Sequence, residues 1–275
     1  MPFDIKKFKE WSEEITQLDP PRWIIEDFLQ ADSIVQVSGE AKRAKKTWLA
    51  LACAVAAAAG RTVAGLRCTQ PHNVLIIEHE DAAYTFHLRF KMLEAGLGVN
   101  MNELPIWIMH RQHFYLESET SLLELKAFIE ANQIKLVVLD TFVKSVQGDE
   151  NDATTMTAAL RQMDRLRVSG ATIMYLHHLN KPPTYSPRSG PVVRDIDHEV
   201  RGSSALSGNY DQHFALRVWR PPPKTSNDPF SNEVEEQEEI LTLIIRSKSV
   251  EEQEFIVDWE IEDNKYAKLK LKRRS

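Results

Sequence analysis

Asp140 ends one apolar run, KLVVLDTF at residues 135–142, and His177 and His178 end another, ATIMYLHHLNK at 171–181. Each run is long enough for one strand buried on both faces, since buried parallel strands read as continuous Val, Ile and Leu. Ligands in open α/β sheets sit just beyond the carboxyl ends of such strands. An acid placed there can hold Mg2+, directly or through water, for phosphoryl chemistry. Taken alone, Asp140 could equally cap a turn.

A second stretch addresses phosphate. SIVQV at 33–37 reads as a strand and runs into SGEAKRAKKTW, then into an alanine-rich helix over 49–59 that Gly60 ends. A strand, a Gly-containing basic loop and a helix opening on Lys-Thr can cradle phosphates on backbone N–H groups. The lysine then reaches the β/γ-phosphates and the hydroxyl holds Mg2+. Lys46 and Thr47, followed by Trp48, fit those positions. The full pattern GxxxxGK[ST] is not met: Lys45 stands at the second glycine, Glu40 at the first, and Gly39 comes one residue earlier. The loop is therefore one residue longer than the motif, or shifted so that Lys45 is the phosphate lysine. Only Lys46 is followed directly by a hydroxyl residue. Positive φ at non-glycine residues costs roughly 1–2 kcal/mol, so a weak or slow nucleotide site is expected.

The elements that would position these groups alternate in type. VLIIEHED at 74–81 is a second strand, followed by a helix. PIWIMH at 105–110 is a further strand, and helices are expected over 119–131 and 153–168. Strands alternating with helices predict a parallel sheet. Beyond His178 the pattern changes. Residues 180–200 read as a long loop and 221–239 as a mobile Pro-rich, then acidic, segment. HFALRVW and the period-two runs after residue 239 read as strands, the latter antiparallel and extending one sheet edge. The organisation expected is a helical docking segment over 1–30 and one α/β domain over 31–275, with a C-terminal β extension from about residue 239.

Composition narrows the classes. With 275 residues the chain can bury one large core. Its net charge of −6 announces no global basic field for nucleic acid, although a local channel remains compatible. Two cysteines, Cys53 and Cys68, make no disulfide framework. The first residues, MPFDIKKFKEW, lack the apolar core of a signal peptide, and no run is long enough to span a bilayer. A cytoplasmic protein without membrane partners is expected. His72, His79, His87, His110 and His113 have no metal-ligand spacing, so no zinc site is expected.

Taken together, GEAKRAKKTWLAL, IIEHED, LVVLD, GDEND, YLHHLNK and RGSSALSG resemble, in order and spacing, the RecA-like ATPases of the RepA type. These are hexameric helicases of plasmid and phage replication. The resemblance implies an α/β RecA-like P-loop fold, ATP and Mg2+ as cofactors, and assembly into a homo-oligomeric, hexameric ring. It implies single-stranded DNA as a partner, with a replication initiator or primase as a further one. By the same resemblance Glu80 matches the carboxylate that polarises the attacking water. Asp140 matches the Walker B acid, which with Thr47 holds Mg2+, and His178 the γ-phosphate sensor. Arg201 matches an arginine acting across a subunit boundary. Gly39, Lys45, Lys46, Thr47 and Trp48 form the nucleotide-binding stretch, and Arg246 and Lys248 match further finger residues loosely. Lys181, Arg188 and Arg194, in the loop over 180–200, are the candidate contacts for single-stranded DNA.

Each assignment has a plainer competitor. Glu78 and Glu80, two apart on a strand, would share one face, and either could be a strand-end partner in a salt bridge. His177 could be a core histidine, and Arg201 could brace a loop. The alternative for the whole chain is a non-catalytic or weakly catalytic nucleotide- or DNA-binding accessory protein with a degenerate P-loop.

Overall fold

A computed structural model describes residues 5–16, 23–179, 206, 208–219, 224–225, 234–235 and 238–274. The elements run α1 (Phe8–Thr16), β1 (Trp23–Ile25), β2 (Leu29–Gln30), β3 (Ile34–Gly39), α2 (Lys46–Ala59), β4 (Asn73–Glu78), α3 (Ala83–Leu97) and β5 (Ile106–His110). There follow α4 (Glu119–Ala131), β6 (Ile134–Asp140), α5 (Ala153–Arg167), β7 (Thr172–His178) and β8 (Gln212–Trp219). The short pair β9 (Lys224–Thr225) and β10 (Val234–Glu235) falls in the Pro-rich stretch. Then come β11 (Ile240–Ser247), β12 (Gln253–Glu262) and β13 (Tyr266–Arg273).

One sheet organises the molecule, in the order β13-β12-β11-β8-β3-β7-β6-β4-β5. From β8 to β5 every neighbouring pair is parallel, while β8-β11, β11-β12 and β12-β13 are antiparallel. This is an α/β RecA-like architecture with antiparallel strands added at one edge. The parallel strands are apolar because both faces are covered. Val35, Val37, Ile76, Val138 and Leu176 meet α2 and α3 on one face. Ile34, Ile77, Leu139, Ile173 and Tyr175 meet α4 and α5 on the other. Ile24, Ile25, Phe28 and Leu29 of the β1-β2 hairpin are buried in the α2–α3 layer.

The alanine content of α2 has a packing reason. Eleven of its residues are buried, so the helix is enclosed on almost every side and small side chains let neighbours approach. A still closer approach occurs where α3 crosses β13. A Cβ at Gly96 would lie 2.0 Å from the Ala267 carbonyl oxygen. Gly96→Ala must therefore push helix and strand apart, and a loss of about 1–3 kcal/mol is expected in denaturant unfolding. Unchanged stability would show that this contact is looser than the structure places it.

Candidate nucleotide site

Four strand ends converge on one cleft. β3, β4, β6 and β7 all finish at the same sheet edge, and β3 has β7 on one side and β8 on the other. Crevices beyond carboxyl ends at such a reversal of strand order are where α/β sheets bind ligands. The cleft holds about 390 Å³. Glu40, Lys42, Lys45, Lys46, Thr47, Trp48, Glu80, Asp81, Arg89, Asp140, Thr141 and His178 line it.

The basic loop after β3 closes on itself. The Ala44 N–H donates to Glu40 O at 3.3 Å, and Ala44 is buried against the strand end. Gly39 permits this, because a Cβ there would lie 2.5 Å from the Ala44 Cβ and 3.1 Å from the Leu216 Cβ. Lys42 and Lys45 both adopt left-handed conformations, with φ of 63° and 56°. Lys45 thus occupies, as a lysine, the backbone conformation for which the motif uses a glycine. Helix α2 begins at the next residue, Lys46, and presents the free N–H groups of its first turn to the cleft.

Lys46 is buried, and its ammonium donates to Gly39 O at 2.8 Å and to His178 Nδ1 at 3.1 Å. The Thr47 hydroxyl donates to Asp140 Oδ2 at 2.7 Å. An ammonium, a hydroxyl and a carboxylate therefore share one floor. All-oxygen donors of this kind suit Mg2+ shared with phosphate. The described residues contain no cluster of three or more His, Cys, Asp and Glu that would hold a metal unaided. Trp48 forms part of the wall. Its ring lies 5.8 Å from that of Trp259, and the Arg89 guanidinium lies 5.7 Å from its centroid.

The second acid pair is arranged differently from the expectation that Glu78 and Glu80 share a strand face. β4 stops at Glu78, which is fully buried, and Glu80 sits exposed in the following turn, lining the cleft. The Glu78 carboxylate itself ends the strand, because Oε1 accepts the N–H groups of Glu80 at 2.5 Å and Asp81 at 2.7 Å. The histidines also divide: His177 is buried beside Phe142, and only His178 reaches the cleft.

Arg246 and Lys248 are not brought to this cleft. β11 runs antiparallel to β8, so Arg246 pairs with His213 near the amino end of β8, at the opposite sheet edge. There Arg246 bridges Glu252 at 2.5 Å, and Lys248 bridges Asp211 at 3.5 Å. Arg201, Lys181, Arg188 and Arg194 lie outside the described residues. Asp152, in GDEND, caps α5 by accepting the Thr155 N–H at 2.8 Å. Sequence reasoning passed over Asp81 and Arg89, whose ion pair of 2.5 Å forms a side of the cleft. Their spacing of eight residues, one in a turn and one in a helix, matches no local pairing rule.

Burial shifts the charged groups of the cleft. Burial lowers Lys46 to about 8, against the opposing pull of Asp140 and Glu80. Burial raises Asp140 to about 6, despite the Thr47 hydrogen bond. Glu78 is raised to about 7 by burial and then by Asp140. Between their unfolded and folded values the two acids hold protons that the unfolded chain has released. Their contribution to stability therefore falls as pH rises through about 7. The folded Lys46 gives up its proton earlier than the unfolded chain, so its contribution rises from about pH 8 upward. Together these three groups favour folding least between about pH 7 and 8. Thermal unfolding from pH 5 to 7.5 should show a smaller loss for Glu78→Gln than for the parent; equal slopes would remove Glu78 from this account.

Comparison with known proteins agrees with the geometry. A family model described as an AAA domain matches residues 2–184. No curated protein matches the chain in sequence. Among solved structures, a DnaB-like replicative helicase, described together with its interactions with primase, superposes with a TM-score of 0.65 at 14% identity. The match covers 96% of this chain and 68% of that one, and at this identity it speaks for the fold. No helix among the described residues is long and apolar enough to cross a membrane. With two thirds of its length matched and a phosphate loop set at the head of a RecA-like sheet, the chain belongs to the AAA domain family of P-loop proteins.

Proposed function

We propose that the chain is an ATP-hydrolysing RecA-like ring ATPase that moves on or unwinds DNA in plasmid, phage or mobile-element replication. The observation that supports this best is the Thr47–Asp140 hydrogen bond beside the buried Lys46, at a cleft large enough for a polyphosphate. Lys46 neutralises the β/γ-phosphates, and the α2 N-terminus and loop N–H groups cradle them. Thr47 and Asp140 hold Mg2+, which when bound draws off phosphate charge. Glu80 orients and deprotonates the attacking water from across the cleft. His178, hydrogen-bonded to Lys46, senses whether a γ-phosphate competes for that ammonium. Trp48 offers a flat apolar wall.

Arg201 is proposed to complete the site from a neighbouring subunit, which makes turnover depend on a hexameric ring. Arg246 and Lys248, being at the far sheet edge, reach a nucleotide only across such a boundary. Single-stranded DNA is the proposed polymer, with Lys181, Arg188 and Arg194 its contacts, and an initiator or primase a further partner. The solved helicase of the same fold, described with its primase, is consistent with these roles. Thermal stability with Mg·ATP tests the site itself. Binding at a hundredfold over Kd stabilises by about 2.7 kcal/mol. No shift at millimolar ATP would instead favour a non-catalytic accessory protein with a degenerate P-loop.

A further inference from the structure

We propose that Glu78 is a positioning residue which, with Lys144, Arg111 and His110, clamps the turn that presents Glu80 to the cleft. The inference rests on the reading of Glu80 as the water-activating carboxylate. Its basis is a set of hydrogen bonds that occupies every backbone polar group of residues 79–81. The His79 N–H donates to Asp140 O at 2.7 Å. The Glu80 and Asp81 N–H groups donate to Glu78 Oε1. On the carbonyl side, Lys144 Nζ donates to His79 O at 3.1 Å and Arg111 Nη2 to Glu80 O at 2.7 Å. His110 Nε2 lies 3.0 Å from Asp81 O.

Three strand ends thus supply the clamp: β4 through Glu78, β5 through His110 and Arg111, and β6 through Asp140, with Lys144 in the turn beyond it. Apart from the clamp, the turn is tied to α3 through the Asp81–Arg89 ion pair, which leaves its backbone unheld. Helix α3 starts just beyond, and its N-cap, Ala82, provides no side-chain cap. The Glu80 side chain is exposed, so packing does not fix it. A buried carboxylate is costly unless hydrogen-bonded, and Glu78 spends its Oε1 on these two amides while Oε2 has no partner among the described residues. The geometry therefore points to the acceptor atom as what the position requires. Misplacement of a catalytic group by an ångström costs about a hundredfold in rate.

The test combines amide exchange with kinetics on the full chain. Glu78→Gln keeps an acceptor oxygen, and Glu78→Leu removes it at similar volume. The Glu80 and Asp81 amides should remain protected in Glu78→Gln and exchange faster in Glu78→Leu. The kcat of Glu78→Leu should fall by about tenfold to a hundredfold with KM for ATP unchanged, while Glu78→Gln retains most of it. Should Glu78→Leu fail to fold, the exposed Arg111→Ala carries the test: a lower kcat at unchanged KM supports the clamp, and an unchanged kcat overturns it. Protected amides in Glu78→Leu, or equal impairment of the Gln and Leu variants, also overturn it. Undiminished turnover in Glu80→Gln would remove the catalytic role of Glu80, whereas the amide exchange decides the clamp independently.

Discussion

Glu80→Gln is expected to bind Mg·ATP as the parent does and to hydrolyse it at least about a hundredfold more slowly. The expectation follows from where the chain places this side chain. β4 ends one turn earlier, at Glu78, so Glu80 leaves the sheet and faces the cleft rather than the core. Lys46 and Thr47 line the same cleft from the start of α2, and Asp140 and His178 from two other strand ends. The glutamine amide preserves size and hydrogen bonding yet accepts no proton from water, so binding is spared and chemistry is not. Equal turnover in variant and parent would exclude the role. Loss of nucleotide binding would show that Glu80 shapes the site instead of acting in it.

Lys46→Ala is expected to abolish nucleotide binding, and Lys45→Gly to preserve or improve it. The ammonium of Lys46 is buried and aimed at the strand end by Gly39 O and His178. Its removal deletes a buried cation from the cleft floor beside Thr47 and Asp140. Lys45 is the residue before the helix, with φ of 56° and ψ of 31°. Glycine there relieves roughly 1 kcal/mol of left-handed backbone cost. It also removes a side chain from the cleft wall, so the improvement is limited to what that lysine does not itself contribute. Titration with Mg·ATP followed by calorimetry distinguishes the cases. If Lys45→Gly destroys binding and Lys46→Ala spares it, the phosphate lysine is the other one.

Much of the fold was legible in local pattern. The runs around Val138 and Leu176 are apolar on both faces because helices cover both, and α4 appears at the expected residues, Glu119–Ala131. The order of strands was not legible. Period and burial do not say that β5 lies outside β4, or that β8 pairs with β3. The same limit explains Arg246 and Lys248. The loose match of IIRSKS to finger residues carries no strand direction, and it is the antiparallel β11 that places Arg246 and Lys248 at the other edge of the sheet.

Within the site, motif counting and conformation gave different information about Lys45. The count registers a missing glycine, whereas the backbone shows the glycine's conformation kept with a lysine in it. Glu78 and Glu80 could not be separated by spacing, because the strand ends where a side chain captures two amides, and no periodicity records that. Arg89 came from α3, and its partner Asp81 from the turn before it, a tertiary pairing that only the fold reveals.

Hydrolysis of ATP in this cleft, as part of a ring engaged on DNA, is the function proposed. Its most direct test is the rate of Mg·ATP hydrolysis per chain, with and without single-stranded DNA, across protein concentration. The rate per chain is expected to rise with concentration as subunits assemble, to rise again with single-stranded DNA, and to vanish in Lys46→Ala. A rate per chain independent of concentration and of DNA, or no hydrolysis at any concentration, would contradict it.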